Sequence, residues 1–261
     1  MKVSKRLELP KSIVQHLRFR KDPKRAFHLL REFGRALVPN YRFQWPEVLW
    51  WNYPRFTEYL RSFGEHERLD SSRKWDLSEL LRLIEGVPGD TAECGALEGA
   101  SSYLICHANR RHRGEPRTHF VFDSFAGLSA PQAADGDYWH ANDLSVSESI
   151  ARKNLTEFAN VQFLTGWIPT RFAEVQDRRF AFVHIDVDLH DPTRDCMEFF
   201  YSRMDPGGII LCDDYGSGYC PGATKAVDDF LADKPEKMLE TSGGAGFMIR
   251  GTLTLEQAFR G

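Results

Sequence analysis

The sequence has 261 residues, of which 42% are hydrophobic and 27% are charged, and its formal net charge is −3. A chain of this size can bury a large core, and its near-neutral charge argues against nucleic acid as a partner. No apolar run reaches the length of a membrane helix and the first residues lack a secretory signal, so we expect a cytoplasmic protein with no membrane partner. The five cysteines form no C-x-x-C pair, which favours reduced, buried thiols.

Residues 1–75 have a different texture from the rest of the chain, with a basic helical stretch followed by a segment dense in aromatic side chains. We therefore predict two parts, a helical, aromatic-rich N-terminal extension over 1–75 and an α/β domain over 76–261. The aromatic side chains of the extension are Trp45, Trp50, Trp51, Tyr53, Phe56, Tyr59 and Phe63. They favour a core or subunit contact over an acceptor-binding wall, and they make a homo-oligomer plausible. A basic stripe is expected to be a solvated helix face, namely Lys21, Lys24, Arg25, Arg31 and Arg35.

From Asp76 onward, short apolar runs alternate with segments of helical period. The predicted strands are TAEC, HFVFD, VQFLTG, AFVHID, GIILCD and an edge strand within GAGFMIRG. The predicted helices are DLSELLRLIEG, SSYLICHANRR, SVSESIARKNLTEF, PTRDCMEFFYSRM and GATKAVDDFLAD. This rhythm predicts a mostly parallel sheet with helices on both faces.

The longest predicted loop, residues 129–144, is too long to be a simple connection. Its polar side chains suggest a lid over bound ligands, although they are equally suited to solvent. They are Asp135, Asp137, Tyr138 and His140.

Four of the predicted strands end in an acid. The acids are Glu93, Asp123, Asp186 and the pair Asp213 and Asp214. Because ligands of open parallel sheets bind outside the carboxyl ends of the strands, we expect these side chains to converge on one edge of the sheet. A single such acid could be a helix cap or turn residue, but four together indicate a site.

The turn after the first strand, residues 93–101, is rich in glycine and opens a helix, so backbone N–H groups near Gly99 and Ser101 can hold an anionic group. It lacks the G-x-G-x-x-G pattern of dinucleotide sites, and the chain has no Walker A loop. Glu93 at the strand end and Asp123 as an acceptor for ribose hydroxyls suit S-adenosylmethionine, whose sulfonium is cationic.

Three acids at neighbouring strand ends, Asp186, Asp213 and Asp214, offer the hard oxygen ligands that suit Mg²⁺ or Mn²⁺. A zinc site is the alternative, built from His184, Asp186, Asp188 and His190. We expect His184 itself to be a buried core histidine.

Several short motifs occur along the chain in the same order as in a known enzyme family, and together they are far more specific than any one of them alone. They are Glu93-x-Gly95-x-x-x-Gly99-x-Ser101, Phe122-Asp123-Ser124-Phe125-x-Gly127-Leu128, Gly166-Trp167, His184-Ile185-Asp186-Val187-Asp188-Leu189 with Thr193-Arg194, Pro206-Gly207-Gly208, Asp213-Asp214-Tyr215-Gly216 and Ala226-Val227-Asp228-x-Phe230. Over about residues 77 to 250 the chain resembles the macrocin O-methyltransferase family, which includes the mycinamicin sugar methyltransferases.

The resemblance implies a class I, Rossmann-like fold, S-adenosylmethionine as donor, a divalent metal, and a deoxysugar hydroxyl of an antibiotic or similar metabolite as acceptor. By position, it implies that three parts of the chain hold the donor. Gly95 and Ser101 would hold the methionine part, Asp123 the ribose, and Gly166 with Trp167 the adenine. Glu93, Gly99 and Ser124 complete the expected donor-binding set. Asp186, Asp213 and Asp214 would bind Mg²⁺.

The sequence does not single out one residue as the general base. Catechol O-methyltransferases share the turn and a similar metal arrangement, but they carry a lysine where this chain has Leu189. Asp186 or Asp188, and next His190, are the candidates for taking the proton from the acceptor hydroxyl.

The sequence predicts that this protein is an O-methyltransferase that depends on S-adenosylmethionine and Mg²⁺ and acts on a small-molecule sugar or glycoside. Two alternatives stay open. One is methylation of another vicinal diol or a phenolic molecule, and the other is a non-catalytic nucleotide-binding or interaction protein.

Overall fold

The computed structural model describes residues 33–34, 36–37, 53–68 and 71–251, with residue 67 described by its backbone alone. The chain divides into two compact units, residues 1–57 and 58–261. Three of the aromatic residues of the extension, Trp45, Trp50 and Trp51, and the whole basic stripe lie outside the described residues. The division of the chain at residue 75 therefore stays a prediction.

Six α-helices lie within residues 53–68 and 71–251, and the described residues 33–34 and 36–37 are helical as well. The six helices are α1 (Pro54–Ser62), α2 (Ser71–Leu83), α3 (Ala100–Asn109), α4 (Glu148–Asn154), α5 (His190–Tyr201) and α6 (Pro221–Leu231). Each of the five predicted helical segments contains one of α2 to α6 or most of it. The helix α2 begins five residues before the predicted domain start and brings a polar face with it.

Seven strands form one sheet. They are β1 (Asp90–Cys94), β2 (His119–Asp123), β3 (Val161–Thr165), β4 (Phe180–Ile185), β5 (Met204–Cys212), β6 (Leu239–Glu240) and β7 (Gly246–Ile249). Their order is β3-β2-β1-β4-β5-β7-β6, and β1 to β5 are parallel, whereas β7 runs antiparallel to β5 and β6 antiparallel to β7. The predicted mostly parallel sheet is confirmed, and β6 is an addition that the sequence did not indicate.

The central strands are buried on both faces, as their unbroken apolar runs predicted. In β5, Ile210 and Cys212 belong to the core on one side of the sheet, and Ile209 and Leu211 to the core on the other. All six residues of β4 are buried. These strands are therefore rigid supports for whatever follows their carboxyl ends.

Two aromatic residues of the predicted extension pack against α3. The Tyr59 ring centroid lies 6.0 Å from that of Tyr103 and the Phe63 centroid 5.2 Å from it, and the Tyr59 hydroxyl donates to the Ala100 carbonyl at 3.0 Å. Tyr59 and Phe63 therefore make packing contacts with α3, as expected for a core role of the aromatic side chains. Among the described residues, no helix is long and apolar enough to span a membrane.

Candidate functional site

The carboxyl ends of β1, β2, β4 and β5 open into one cavity of about 320 Å³. Eleven of the predicted site residues line it: Glu93, Gly95, Ser101, Asp123, Ser124, Gly166, Trp167, Asp186, Asp188, Asp213 and Asp214. The structure therefore brings together acids that are separated by up to 121 positions in the sequence. Gly99 and His190 are not among the lining residues.

The turn after β1 is shaped by a close approach of two strand ends. Gly95 has φ +82°, and a Cβ at this position would overlap the carbonyl oxygen of Asp186. The Gly95 N–H donates to the Phe122 carbonyl and the Asp186 N–H to the Cys94 carbonyl, each at 2.8 Å. Glycine is required here because no side chain fits between the ends of β1 and β4.

Asp123, at the end of β2, organises the same turn. Its Oδ2 accepts the N–H groups of Ala96 and Leu97 at 2.7 and 2.9 Å, and its Oδ1 accepts the N–H of Phe125 at 2.7 Å. Three backbone donors fix the carboxylate in place. A carboxylate oxygen can accept more than one hydrogen bond, and Asp123 lines the cavity.

The start of α3 forms a second polar feature of the cavity. Gly99 precedes the helix with φ +84°, and the hydroxyl of buried Ser101 accepts a hydrogen bond from Lys74 Nζ at 2.7 Å. Burial opposes a charge on Lys74, but the neighbouring Asp213 and Asp186 raise its pKa, so the ammonium stays charged. A cation and helix N–H groups thus meet at one point, which suits a carboxylate ligand.

The residues after β3 add an aromatic ring to the lining of the cavity. Trp167 follows Gly166, and its Nε1 donates to the Gly127 carbonyl at 3.1 Å while 48% of the side chain stays exposed. The hydrogen bond fixes the indole, whose exposed face can stack on a planar ring.

Carboxylates crowd the ends of β4 and β5 in two adjoining groups. Ligand atoms of His184, Asp186 and Asp213 all lie within 4.8 Å of one another, and so do those of Asp188, Asp214 and Cys220. Within the second group, the backbone N–H of Asp188 donates to Asp214 Oδ2 at 2.9 Å. This is the convergence that the strand-end acids predicted.

One carboxylate of the cluster is strongly ionised. Burial opposes the charge on Asp213, but the hydrogen bond from His184 and the charges of Lys74 and Arg73 hold its pKa well below its usual range. The Arg73 guanidinium lies 2.8 Å from Asp213 Oδ2 and the His184 Nε2 lies 3.4 Å from Oδ1. Both cations contact Asp213, so its negative charge is the one that they offset most directly.

The other three acids carry raised pKa values. Burial and the neighbouring carboxylates raise the pKa of Asp186 well above its usual range, that of Asp188 to about 8 and that of Asp214 to about 6. Buried oxygen donors that repel one another in this way fit a divalent cation, which would offset the repulsion. Carboxylates of this kind fit Mg²⁺. Of the three predicted ligands, Asp186 and Asp213 lie together in the first group, whereas Asp214 lies in the second group, so this set of three ligands stays a prediction.

A family model described as macrocin-O-methyltransferase (TylF) matches residues 66–241, more than half of the chain. The chain belongs to this family. The match begins before α2 and includes every strand-end acid of the cavity.

Two relatives among the macrocin O-methyltransferases and similar enzymes are informative. The 8-demethyl-8-(2,3-dimethoxy-alpha-L-rhamnosyl)-tetracenomycin-C 4'-O-methyltransferase of Streptomyces olivaceus is 32% identical over 152 residues, which cover 54% of this chain and 58% of that protein. The chain thus spans less than two thirds of this relative. The mycinamicin III 3''-O-methyltransferase of Micromonospora griseorubida is 28% identical over 198 residues, covering 67% of this chain and 76% of that protein.

A solved structure shows the same fold. The calicheamicin methyltransferase CalS11 superposes with a TM-score of 0.62 at 18% identity, covering 88% of this chain and 94% of that one. The predicted class I, Rossmann-like methyltransferase fold is confirmed.

Two of the predicted site residues occupy other surroundings than expected. Glu93 is 1% exposed, and its carboxylate is turned toward His184 Nδ1, 2.8 Å away, and the hydroxyl of Ser102. The His190 ring nitrogen Nδ1 lies 2.9 Å from Asp191 Oδ1, and the backbone N–H of His190 donates to Asp135 Oδ1. The donor-binding role of Glu93 and the base role of His190 stay predictions.

Several residues line the cavity of this macrocin O-methyltransferase family member without a signal in the sequence that marks them. They are Arg73, Lys74, Trp139, Tyr219 and Cys220. The first two lie on α2, where spacing marks an apolar stripe through Leu77 and Leu80 but gives no sign that the polar side chains also turn inward.

Proposed function

We propose that this protein is an S-adenosylmethionine-dependent O-methyltransferase that uses Mg²⁺ or Mn²⁺ to methylate a sugar hydroxyl of a glycosylated natural product. The observation that carries the proposal is that one cavity is lined by the turn after β1 and by two groups of carboxylates, Asp186 with Asp213 and Asp188 with Asp214. The relatives' names support the acceptor class, since one contains a rhamnosyl group and the other is a mycinamicin methyltransferase.

The donor lies, in this proposal, across the ends of β1, β2 and β3. Lys74 Nζ and the N–H groups at the start of α3 bind the carboxylate of its methionine part, with Ser101 between them. Asp123 Oδ1, which accepts one backbone hydrogen bond, also accepts a hydrogen bond from a ribose hydroxyl. The exposed Trp167 indole stacks on the adenine.

The metal is held, in this proposal, by Asp186, Asp213 and Asp214. Bound there, a divalent cation supplies Lewis acidity that lowers the pKa of the acceptor hydroxyl and stabilises the charge on its oxygen. Both ring nitrogens of His184 donate to carboxylates, Nδ1 to Glu93 and Nε2 to Asp213, so neither is left to bind a metal. His184 instead orients the metal ligand Asp213. A site with carboxylate ligands alone favours Mg²⁺ or Mn²⁺ over zinc.

Asp188 is the proposed general base. It lines the cavity, and a carboxylate oxygen of Asp188 lies within 4.8 Å of one of Asp214, which supports a role for it beside a hydroxyl held at the cluster. Methyl transfer needs the acceptor oxygen about 3–3.5 Å from the methyl carbon. The oxygen forms its bond to carbon as the carbon–sulfur bond breaks, the bonding pair returns to sulfur, and the hydroxyl proton passes to Asp188.

The test combines binding and turnover. Calorimetry with S-adenosylhomocysteine, with and without Mg²⁺, checks donor binding, and a labelled-donor assay on a panel of glycosides, catechols and free sugars checks the acceptor class. We expect turnover on a glycoside that EDTA abolishes and added Mg²⁺ restores. Full activity in EDTA would remove the metal from the proposal, methylation of catechols alone would favour the phenolic alternative, and no binding of S-adenosylhomocysteine would favour a non-catalytic protein.

We also propose that the protein acts in the cytoplasm as a homo-oligomer. The five cysteines are free and buried, which is typical of a reducing compartment. Light scattering coupled to size-exclusion chromatography would measure the number of subunits, and a monomer at micromolar concentration would contradict the second part of the proposal.

A further inference from the structure

Three aromatic rings stand together on the rim of the cavity, and neither the donor nor the metal uses them. The ring centroid of Tyr138 lies 4.9 Å from that of Trp139 and 4.6 Å from that of Tyr219. All three side chains line the cavity, yet Tyr138 is 56% and Tyr219 62% exposed. We call these three residues the rim cluster.

The rim cluster is anchored to the carboxylates by a single residue. Trp139 Nε1 donates to Cys220 Sγ at 3.3 Å, and the same sulfur lies 3.5 Å from Asp214 Oδ1 and 3.7 Å from Asp188 Oδ1. The rings are thus held at a defined position beside the acids at which the acceptor hydroxyl reacts in the proposed function.

The loop that carries Tyr138 and Trp139 is tied down at a second point. Asp135 is buried, and its Oδ1 accepts the His190 N–H at 2.6 Å at the start of α5. Gly222, at the start of α6, has no room for a Cβ because it would overlap Asp135 Oδ1. This loop is therefore a built wall of the cavity that packs against the beginnings of α5 and α6.

Tyr138 and Trp139 follow β2, but their contacts with Tyr219 and Cys220 place the rim cluster beside the segment after β5. The residues assigned to the donor follow β1, β2 and β3, whereas the acids follow β4 and β5, and Tyr219 belongs to the segment after β5. Because Cys220 joins Trp139 to Asp188 and Asp214, a molecule whose hydroxyl lies at these acids has the rim cluster beside it.

Aromatic faces beside acids suit one class of molecule. A sugar ring has apolar C–H faces that pack on aromatic rings and hydroxyl edges that reach carboxylates, and an apolar aglycone extends the area that aromatic rings can cover. We propose that the rim cluster is the acceptor subsite and that it selects glycosides with an apolar or aromatic aglycone over free sugars. This inference rests on the proposed function.

The test uses 4-nitrophenyl α-L-rhamnopyranoside and free L-rhamnose as probes. The variants are Tyr138→Ala, Tyr219→Ala and the double variant, and Leu239→Ala is the control because this side chain is similarly exposed but does not line the cavity. Trp167→Ala serves as the contrast on the donor side. Each variant is measured for KM and kcat with both probes and for S-adenosylhomocysteine affinity by calorimetry.

We expect wild-type protein to methylate the nitrophenyl glycoside with a kcat/KM at least about tenfold above that for free rhamnose. The double variant should raise KM for the glycoside about tenfold, as the loss of ring contacts implies. Its affinity for S-adenosylhomocysteine should change less than about twofold, within the scatter of surface substitutions. Its kcat/KM for free rhamnose should fall less than that for the glycoside, because free rhamnose has no aglycone to lose contact. Trp167→Ala should show the reverse, with weaker S-adenosylhomocysteine binding.

Other results overturn the inference in distinguishable ways. An unchanged glycoside KM in the double variant, or equal use of both probes by wild type, would refute the subsite while leaving the proposed function standing. A parallel loss of S-adenosylhomocysteine affinity would assign the rings to the donor or to stability. Wild-type protein that binds S-adenosylhomocysteine but methylates neither probe would count against both the acceptor class and the subsite.

Discussion

His184 Nδ1 lies 2.8 Å from Glu93 Oε1 in a fully buried contact between β4 and β1. The other ring nitrogen faces Asp213, so the histidine connects a carboxylate inside the sheet with one in the cavity. Burial alone would lower the pKa of His184, but the hydrogen bonds and charges of the two acids raise it to about 10. The imidazolium thus holds Asp213 in one orientation.

Glu93→Gln is expected to weaken both the fold and the proposed metal site. It removes the negative charge that compensates the buried His184, a change that costs about 3–5 kcal/mol of unfolding free energy in buried pairs. Loss of a residue that orients a ligand typically lowers metal affinity about 10- to 100-fold. Urea denaturation and Mg²⁺ calorimetry measure the two effects.

The matched control for Glu93→Gln is Glu79→Gln on α2. Glu79 pairs with Arg82 on the exposed surface of the helix, and such pairs contribute less than about 1 kcal/mol. Equal stability losses in the two variants would contradict the role assigned to Glu93.

His119 makes the fold sensitive to acid. Its ring is buried between Thr91 Oγ1 at 3.0 Å and Ser102 Oγ at 2.9 Å, and burial lowers its pKa to about 4. The unfolded chain has a histidine pKa of about 6.5, so between these values it binds the additional proton. Stability from this group is therefore complete above about pH 6.5 and falls as the pH drops toward 4.

The expected loss of unfolding free energy from His119 between pH 7 and pH 5 is on the order of 2 kcal/mol. His119→Gln, which keeps a donor and an acceptor but does not titrate, should show a shallower decrease than wild type in urea unfolding at the two pH values. His140→Gln, at a largely exposed ring, should follow the wild-type slope. Identical slopes for all three proteins would refute the prediction.

The sheet was predictable because its strands obey strong local rules. Runs such as those of β4 and β5 are apolar on both faces, and their acids fall where parallel strands end, so Asp186 and Asp213 could be placed together without coordinates. Glu93 followed the same rule but points to His184. Periodicity gives the end of a strand, whereas the partner of a buried acid depends on its neighbour in the sheet.

The contributions from outside the sheet were not predictable in this way. Lys74 and Arg73 reach the cavity because α2 packs its apolar stripe on the core and leaves these side chains beside Ser101 and Asp213. The contact between Trp139 and Cys220 joins residues 81 positions apart that follow different strands. No local pattern encodes where a long loop or a flanking helix lies.

Lys74→Met is expected to weaken donor binding with little effect on the fold of the sheet. A hydrogen bond to a charged group contributes about 1.5–3 kcal/mol, which corresponds to roughly 10- to 150-fold in affinity for S-adenosylhomocysteine. The control is Lys225→Met, whose ammonium pairs with Asp229 on the surface of α6. Calorimetry that gives wild-type affinity for Lys74→Met would exclude the carboxylate-binding role.

Gly95→Ala is expected to disrupt the junction of β1 and β4 and the cavity with it. The new methyl group would occupy the position of the Asp186 carbonyl oxygen, and φ +82° is unfavourable for alanine. Moving the ends of two central strands apart breaks the bond from the Asp186 N–H to the Cys94 carbonyl and displaces Asp186 itself. We expect an unfolding free energy lower by more than about 4 kcal/mol, in the range that overpacking and strained backbone together produce. Gly218→Ala is the matched control, because nothing lies within 4 Å of a Cβ at that position, and it should unfold as wild type does. A Gly95→Ala protein with wild-type stability and Mg²⁺ affinity would show that the strand ends tolerate a side chain and would contradict the close approach on which the geometry of the site depends.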